Sequence, residues 1–481
     1  MTNSSAQKGR WLLPVLLTVQ FVVSLDMSVV NVALPDIGRD IGLAPDALPW
    51  VINAYALAFG GLLMLGGRLA DVIGGRRTLL AGFALFGAAS LAGGLAAGPG
   101  WLIAARALQG AGAAALAPVA FTLLTVTYPP GAPRARALGL WGMSGAAGGA
   151  AGMLVGGLLT SCAGWRSVML INVPVVVPAL LAARRAVPAE RRTGRAPRLD
   201  VAGAVLVTGG TSALVLGLVR TGTYGWTSRT TLLALAVSVA LLTAFAVVEL
   251  RVRGPLLRLG LLTNPSVLSA NLFTLLMSSG QFAAFYFTSL YMQQVLGYGP
   301  TATGIAFLPF CAGVVAGSLL APRAVARFGP GTVLVTGGLL GAAGLAWFAL
   351  TVAVGSTFAV SVLGPSLVLS VGVGVCFVPL GAEATAGVIP SEVGMAAGVL
   401  NSSRQIGGSL GLSVLATVAV HVSSRAPHGG RAALADGQSA ALWTAAALLV
   451  AASLAVALLR GRRRRATAPA EPAPVTAAVS R

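Results

Sequence analysis

The sequence predicts an all-α polytopic membrane protein with fourteen transmembrane helices. Three observations carry that prediction. The 481 residues are 56% hydrophobic and only 9% charged, with a mean hydropathy of +0.87; soluble chains run near a quarter charged. Apolar stretches of about twenty residues, the length that crosses a bilayer, recur fourteen times. The basic residues between them alternate in density from one loop to the next. Together these exclude a soluble enzyme, a disordered chain and a disulfide scaffold. The net charge of +20 would suit nucleic acid, but the charges stand between apolar runs rather than on one polar domain, so no nucleic-acid partner is expected.

The fourteen spans fall at 12–34, 50–69, 78–97, 101–126, 136–159, 165–183, 201–219, 231–250, 266–290, 303–322, 331–353, 358–381, 394–420 and 438–460. Gly, Pro and Arg fill the separators, as loops require. The first stretch follows Lys8 and Arg10 but contains Asp26 and is too long for a signal peptide, so it reads as a retained helix. The longest charged linker, 184–200, divides six helices from eight. The Arg run at 462–465 anchors the last helix at an anionic leaflet, and the Ala- and Pro-rich remainder reads as disordered.

Orientation follows from the basic residues. With the first segment inside, 24 of the 32 lie in inner segments, six in outer ones, and Arg106 and Arg404 lie within spans. Both termini are therefore expected in the cytoplasm of a multi-pass protein of the inner (plasma) membrane. Helix two ends in GRLADVIGGRR (67–77) and helix ten in PRAVARFGPG (322–331), each a basic turn around a glycine. This hints at an internal repeat.

Ionisable side chains at membrane depth are costly and mark function or a partner. Asp26 lies eight residues below Leu34, about 12 Å from the outer end, and Arg106 lies five residues beyond Trp101, about 7.5 Å from the same surface. Both occupy the outer half, and they are expected to face one cavity as a coupled pair, either as the proton site or as a fixed structural pair. Glu383, near the inner end of helix twelve, either lines the cavity or reaches the interface. Glu249 and Glu392 are nearer loops and are expected to be solvated. Arg404 and Gln405 read as inter-helix hydrogen-bonding groups before substrate contacts. Gln281 and Phe285 belong to an aromatic and amide-bearing helix nine that suits packing or an apolar ligand. Helix five, GLWGMSGAAGGAAGMLVGG (139–157), has the small-residue density of close packing or of a hinge. There is no Walker A sequence, no catalytic constellation and no Cys/His metal spacing around Cys162, Cys311 and Cys376, so neither an enzyme nor a metal site is expected.

Several of these segments resemble the major facilitator superfamily, and within it the fourteen-helix drug:proton antiporters of the EmrB/QacA type. LDMSVVNVALP (25–35), GRLADVIGGRR (67–77), AARALQGAGAA (104–114), the helix-five glycines, WRSVMLINVPV (165–175) and NSSRQIGG (401–408) match in order along nearly the whole chain. Three positions depart. Met153 stands where the helix-five signature has proline, and Val72 and Gly75 stand where the loop signature favours basic residues.

The resemblance implies two six-helix bundles, 1–183 and 259–460, joined by the linker 184–200 and two extra helices in 201–258, with a basic tail at 461–481. It implies that Asp26 and Arg106 couple protons, and that Asp71, Arg76, Arg77, Gly139, Gly148, Gly152, Gly156 and Gly157 gate. Asn31, Gln109, Gln281, Phe285 and Glu383 are its candidate substrate contacts. It implies export of small amphipathic or cationic compounds against a proton gradient by a lipid-embedded monomer without a cofactor. The rivals are a dedicated exporter of one metabolite, an uptake symporter on the same scaffold and a non-transporting sensor.

Overall fold

The computed structural model describes residues 2–44, 46–129, 131–187, 200–252, 255–389, 392–427 and 429–466. Among them fourteen helices are long and apolar enough to span: α1 Trp11–Ile41, α2 Trp50–Ala70, α3 Gly75–Gly94, α4 Pro99–Thr127, α5 Arg136–Ala163, α6 Trp165–Ala186, α7 Val201–Thr221, α8 Arg229–Arg251, α9 Pro265–Val295, α10 Pro300–Phe328, α11 Pro330–Thr351, α12 Ala359–Ala384, α13 Val393–Arg425 and α14 Gly430–Leu458. No strand occurs among the described residues. Every predicted span is present. Most of the linker 184–200 and most of the tail 461–481 lie outside the described residues. With fourteen crossings both chain ends lie on one side, here the terminal face; the opposite side is the distal face.

Proline opens α4, α9, α10 and α11 at the first helical position, where its missing N–H costs nothing. Gly74 (φ 94°) and Gly329 (φ 78°) sit at the tight α2–α3 and α10–α11 turns, in a backbone region other residues enter only with strain. These are the two turns that hinted at a repeat, and the packing extends it. In the first half α1 pairs with α5 and α6, α2 with α4, and α3 with α4 and α6. In the second half the same pairings recur eight helices later: α9 with α13 and α14, α10 with α12, and α11 with α12 and α14. The result is two bundles of six. The extra pair α7–α8 packs on itself and lays α7 along both α2 and α13.

The halves meet along two seams. One joins α2 to α13, where Asn53 donates to Ser413 Oγ at 2.8 Å and Ser402 donates to the Gly60 carbonyl at 2.7 Å. The other joins α1 and α5 to α9 and α10 toward the distal face. There Ser289 and Gln293 donate to the Asn31 and Val32 carbonyls, both at 2.9 Å. Gln293 belongs to a π-helical turn, Tyr291–Val295, of the kind that re-aims side chains at functional positions.

Two acids differ from expectation. Glu249 is buried, not solvated, and accepts from the Leu257 N–H at 3.0 Å. Glu392 pairs with Arg258. Glu249 lies in the last turn of α8 and Glu392 caps the start of α13, both where the chain folds back, so loop proximity became packing rather than exposure.

Candidate functional site

The two ionisable residues placed in one half of the membrane meet directly. Arg106 Nη1 lies 2.6 Å from Asp26 Oδ2, with the side chains 1% and 0% exposed. The pair is thus coupled, but in this state it is enclosed within the first bundle rather than open to a cavity. An unpaired charge there would carry a desolvation cost of several kcal/mol, and the surroundings offset it bond by bond. Asp26 Oδ1 accepts from Gln109 Nε2 at 3.1 Å and from Asn172 Nδ2 at 2.7 Å. Arg106 Nε donates to the Val51 carbonyl at 3.0 Å, and its Nη1 also donates to Gln109 Oε1 at 2.9 Å. Gln109 Nε2 donates as well to Ser90 Oγ at 2.6 Å. The guanidinium stacks 4.6 Å from the Tyr55 ring centroid. Five helices, α1, α2, α3, α4 and α6, therefore contribute to one network around the Asp26–Arg106 pair.

Gln109, expected to contact substrate, instead belongs to this network. Asn172, Ser90 and Tyr55 were not anticipated. Asn172 had a legible signal, an amide amid the apolar run VMLINVPV, but nothing in the sequence shows that it faces Asp26. Asn172→Ala is expected to cost about 1–3 kcal/mol, since it removes a hydrogen bond to a buried charge; an unchanged melting midpoint in detergent would contradict the assignment.

The α1 helix carries this site to the other bundle. Asp26 faces α4 and α6, whereas its neighbour Met27 meets Gln405 of α13 through its sulfur at 3.6 Å. Asn31, another expected substrate contact, donates to the Met27 carbonyl at 2.9 Å, and its Oδ1 is buried with no partner among the described residues.

The helix-five glycines separate by role. A Cβ on Gly152 would lie 2.6 Å from the Leu25 carbonyl oxygen, and one on Gly156 would lie 2.7 Å from that of Val29. Gly148 similarly abuts the Phe21 carbonyl, and Gly157 the Pro300 carbonyl of α10. These four let α5 approach two neighbours at backbone distance. Gly139 has nothing within 4 Å. Met153, in place of the signature proline, is buried, and α5 continues through it unbroken.

The loop candidates divide as well. Arg76 donates to the Arg184 carbonyl at the end of α6, Arg77 is exposed, and the Asp71 side chain lies outside the described residues. Phe285 packs against Phe307 and Phe310, centroids 5.6 and 4.7 Å away, within the second bundle. Gln281 is half-buried on the same helix, and Glu383 is half-buried one residue before the end of α12. None of these three joins the Asp26 network.

Known proteins share this architecture and this sequence. A family model described as Major Facilitator Superfamily matches residues 16–412. The cephamycin export protein of Amycolatopsis lactamdurans is 42% identical over 414 residues, covering 85% of each chain. A puromycin resistance protein of Streptomyces alboniger is 41% identical, covering 93% of this chain and 90% of its own. In fold alone, a peptide transporter crystallised with sulfate superposes with a TM-score of 0.70 at 15% identity, over 94% of this chain and 95% of that one. The chain belongs to the Major Facilitator Superfamily, among its fourteen-helix antibiotic export and resistance transporters.

Proposed function

We propose that this protein exports a small amphipathic organic compound of antibiotic type across the plasma membrane in exchange for protons, working as a monomer with both termini in the cytoplasm. The observation that carries this reading is the enclosed Asp26–Arg106 pair on a helix whose opposite face touches the second bundle. The distal seam, closed by Ser289 and Gln293 on α1, corresponds to a carrier shut toward the outside. A proton delivered to Asp26 from the outward-facing state removes the counter-charge of Arg106. The network of Gln109 and Asn172 then relaxes, and α1 shifts against Gln405, Ser289 and Gln293. Release of that proton to the cytoplasm restores the pair. Compound and proton thereby move in opposite directions through alternating access. The two antibiotic-related proteins are each named for one compound, which supports a narrow substrate range over a broad one.

Everted vesicles containing the protein test this reading. With the interior acidified, they are expected to accumulate amphipathic dansyl probes and to lose that accumulation when nigericin collapses the pH gradient. Accumulation that continues undiminished after collapse removes proton coupling from the account.

A further inference from the structure

One charge at membrane depth stands outside the Asp26 network. Arg404 lies eleven residues into α13, about 16 Å from its terminal-face end at ~1.5 Å per residue. Its side chain is half-buried, between Ser403, which donates to Asn271 of α9 at 2.9 Å, and Gln405, which meets Met27 of α1. The sequence predicts an inter-helix hydrogen bond at this position. Its neighbour Gln405 makes a contact of that kind, to Met27; Arg404 makes neither a hydrogen bond nor an ion pair among the described residues.

Among the described residues no acid pairs with it. Asp26 is committed to Arg106 on the far side of α1. Besides α1, the helices against α13 are α2, α7, α9, α12 and α14. Their acids occur only at or near the helix ends: Asp71 just beyond α2, Asp200 just ahead of α7, Glu383 one residue before the end of α12 and Asp436 in the second turn of α14. Within α9 there is none. Glu383 lies about 15 Å nearer the terminal face than Arg404, and Asp436 about 22 Å nearer the distal face, by the same rise. A guanidinium held at this depth without a counter-charge costs several kcal/mol unless water or an anion reaches it.

A polar and an aromatic group flank Arg404 along α13. One turn toward the terminal face, on the same side of α13, Asn401 is exposed. One turn the other way, Gly408 lets the Phe282 ring lie flush on the helix, with 2.6 Å between a built Cβ and the ring. Arg404 and the seat of the Phe282 ring thus lie one turn apart on α13.

We propose that Arg404 is a substrate-specificity residue that binds the acidic group of the exported compound, so that the cargo is an amphipathic organic anion bearing a carboxylate or a group of similar acidity. This rests on the export reading above and names its substrate class. The planar guanidinium takes a carboxylate in two parallel hydrogen bonds, while the apolar body lies along Phe282. With Asp26 and Arg106 neutralising one another, the anion cancels the remaining positive charge at that depth.

The test is equilibrium binding to the purified full chain in lipid-free maltoside detergent, using three matched probes read by fluorescence: dansylglycine (anionic), its methyl ester (neutral) and dansylcadaverine (cationic). Wild type is expected to bind dansylglycine at least tenfold more tightly than the other two. Arg404→Gln is expected to remove that preference while leaving the ester unchanged, and Arg404→Lys to keep part of it, since a point charge remains without the fork. Added phosphatidylglycerol is expected not to displace dansylglycine. Failure of wild type to bind dansylglycine, equal or cation-favouring binding, uniform weakening of all three probes by Arg404→Gln, or displacement by the lipid headgroup would each overturn the proposal. Binding requires no pH gradient. A carboxylate preference without gradient-driven accumulation would sink the export reading alone, and accumulation without that preference would sink this one alone.

Discussion

Asp26→Asn and Arg106→Gln, made singly, are each expected to destabilise the protein by about 3–5 kcal/mol, because each leaves the other partner as an uncompensated buried charge. The two side chains are 0% and 1% exposed and 2.6 Å apart, so no solvent screens the loss. The double variant keeps amides at both positions and buries no net charge. It is expected to recover most of the stability, and a double-mutant cycle reads the coupling. Transport separates the roles. Asp26→Asn is expected to abolish gradient-driven accumulation in everted vesicles, and so is the stable double variant, because neither holds a proton-accepting carboxylate at that position. A double variant that still couples export to the pH gradient would move the proton site away from Asp26.

The second large effect concerns α5. Gly152→Val and Gly156→Val each place atoms where the backbone of α1 already lies, 2.6 and 2.7 Å from carbonyl oxygens at the Cβ alone. Overpacking of this kind costs about 1–3 kcal/mol, and here it also forces apart the helix that carries Asp26. Both variants are expected to melt earlier and to lose export. Gly139→Ala is the contrast. It meets open space and gains helix propensity worth about 0.5–1 kcal/mol, so stability is expected to hold or rise slightly with transport intact. If Gly152→Val melted as wild type does, the close α1–α5 contact would be refuted; if Gly139→Ala lost export, the glycines would be acting through helix bending instead.

The repeat gives these effects a common origin. Each bundle uses the same pairings offset by eight helices, but the buried charges are not repeated. The first bundle holds the self-neutralised Asp26–Arg106 pair. In the second, Arg404 is half-buried and has no hydrogen-bond or ion-pair partner among the described residues. Proton handling and substrate recognition would then reside in different halves, joined where Met27 touches Gln405. Proton occupancy on one side can bias the other through that contact without sharing a binding site.

By itself the sequence determined the number of spans, the all-helical class and the depth of Asp26 and Arg106. Those depend on hydropathy over about twenty residues and on a fixed rise per residue, which are local properties. The glycine turns at 74 and 329 were legible for the same reason. Which face of each helix meets which neighbour was decided only by the tertiary structure. Asn172 sits 146 residues from Asp26 and still donates to it. Gly139 and Gly152 carry the same residue type, yet one meets open space and the other a backbone carbonyl. Glu249 reads as loop-proximal and is buried, whereas Arg404 and Gln405, adjacent in sequence, part toward different surroundings. Long-range packing sets each of these outcomes. A residue type and its position in a span fix the cost of burying a polar group, but the neighbouring helices decide what offsets that cost.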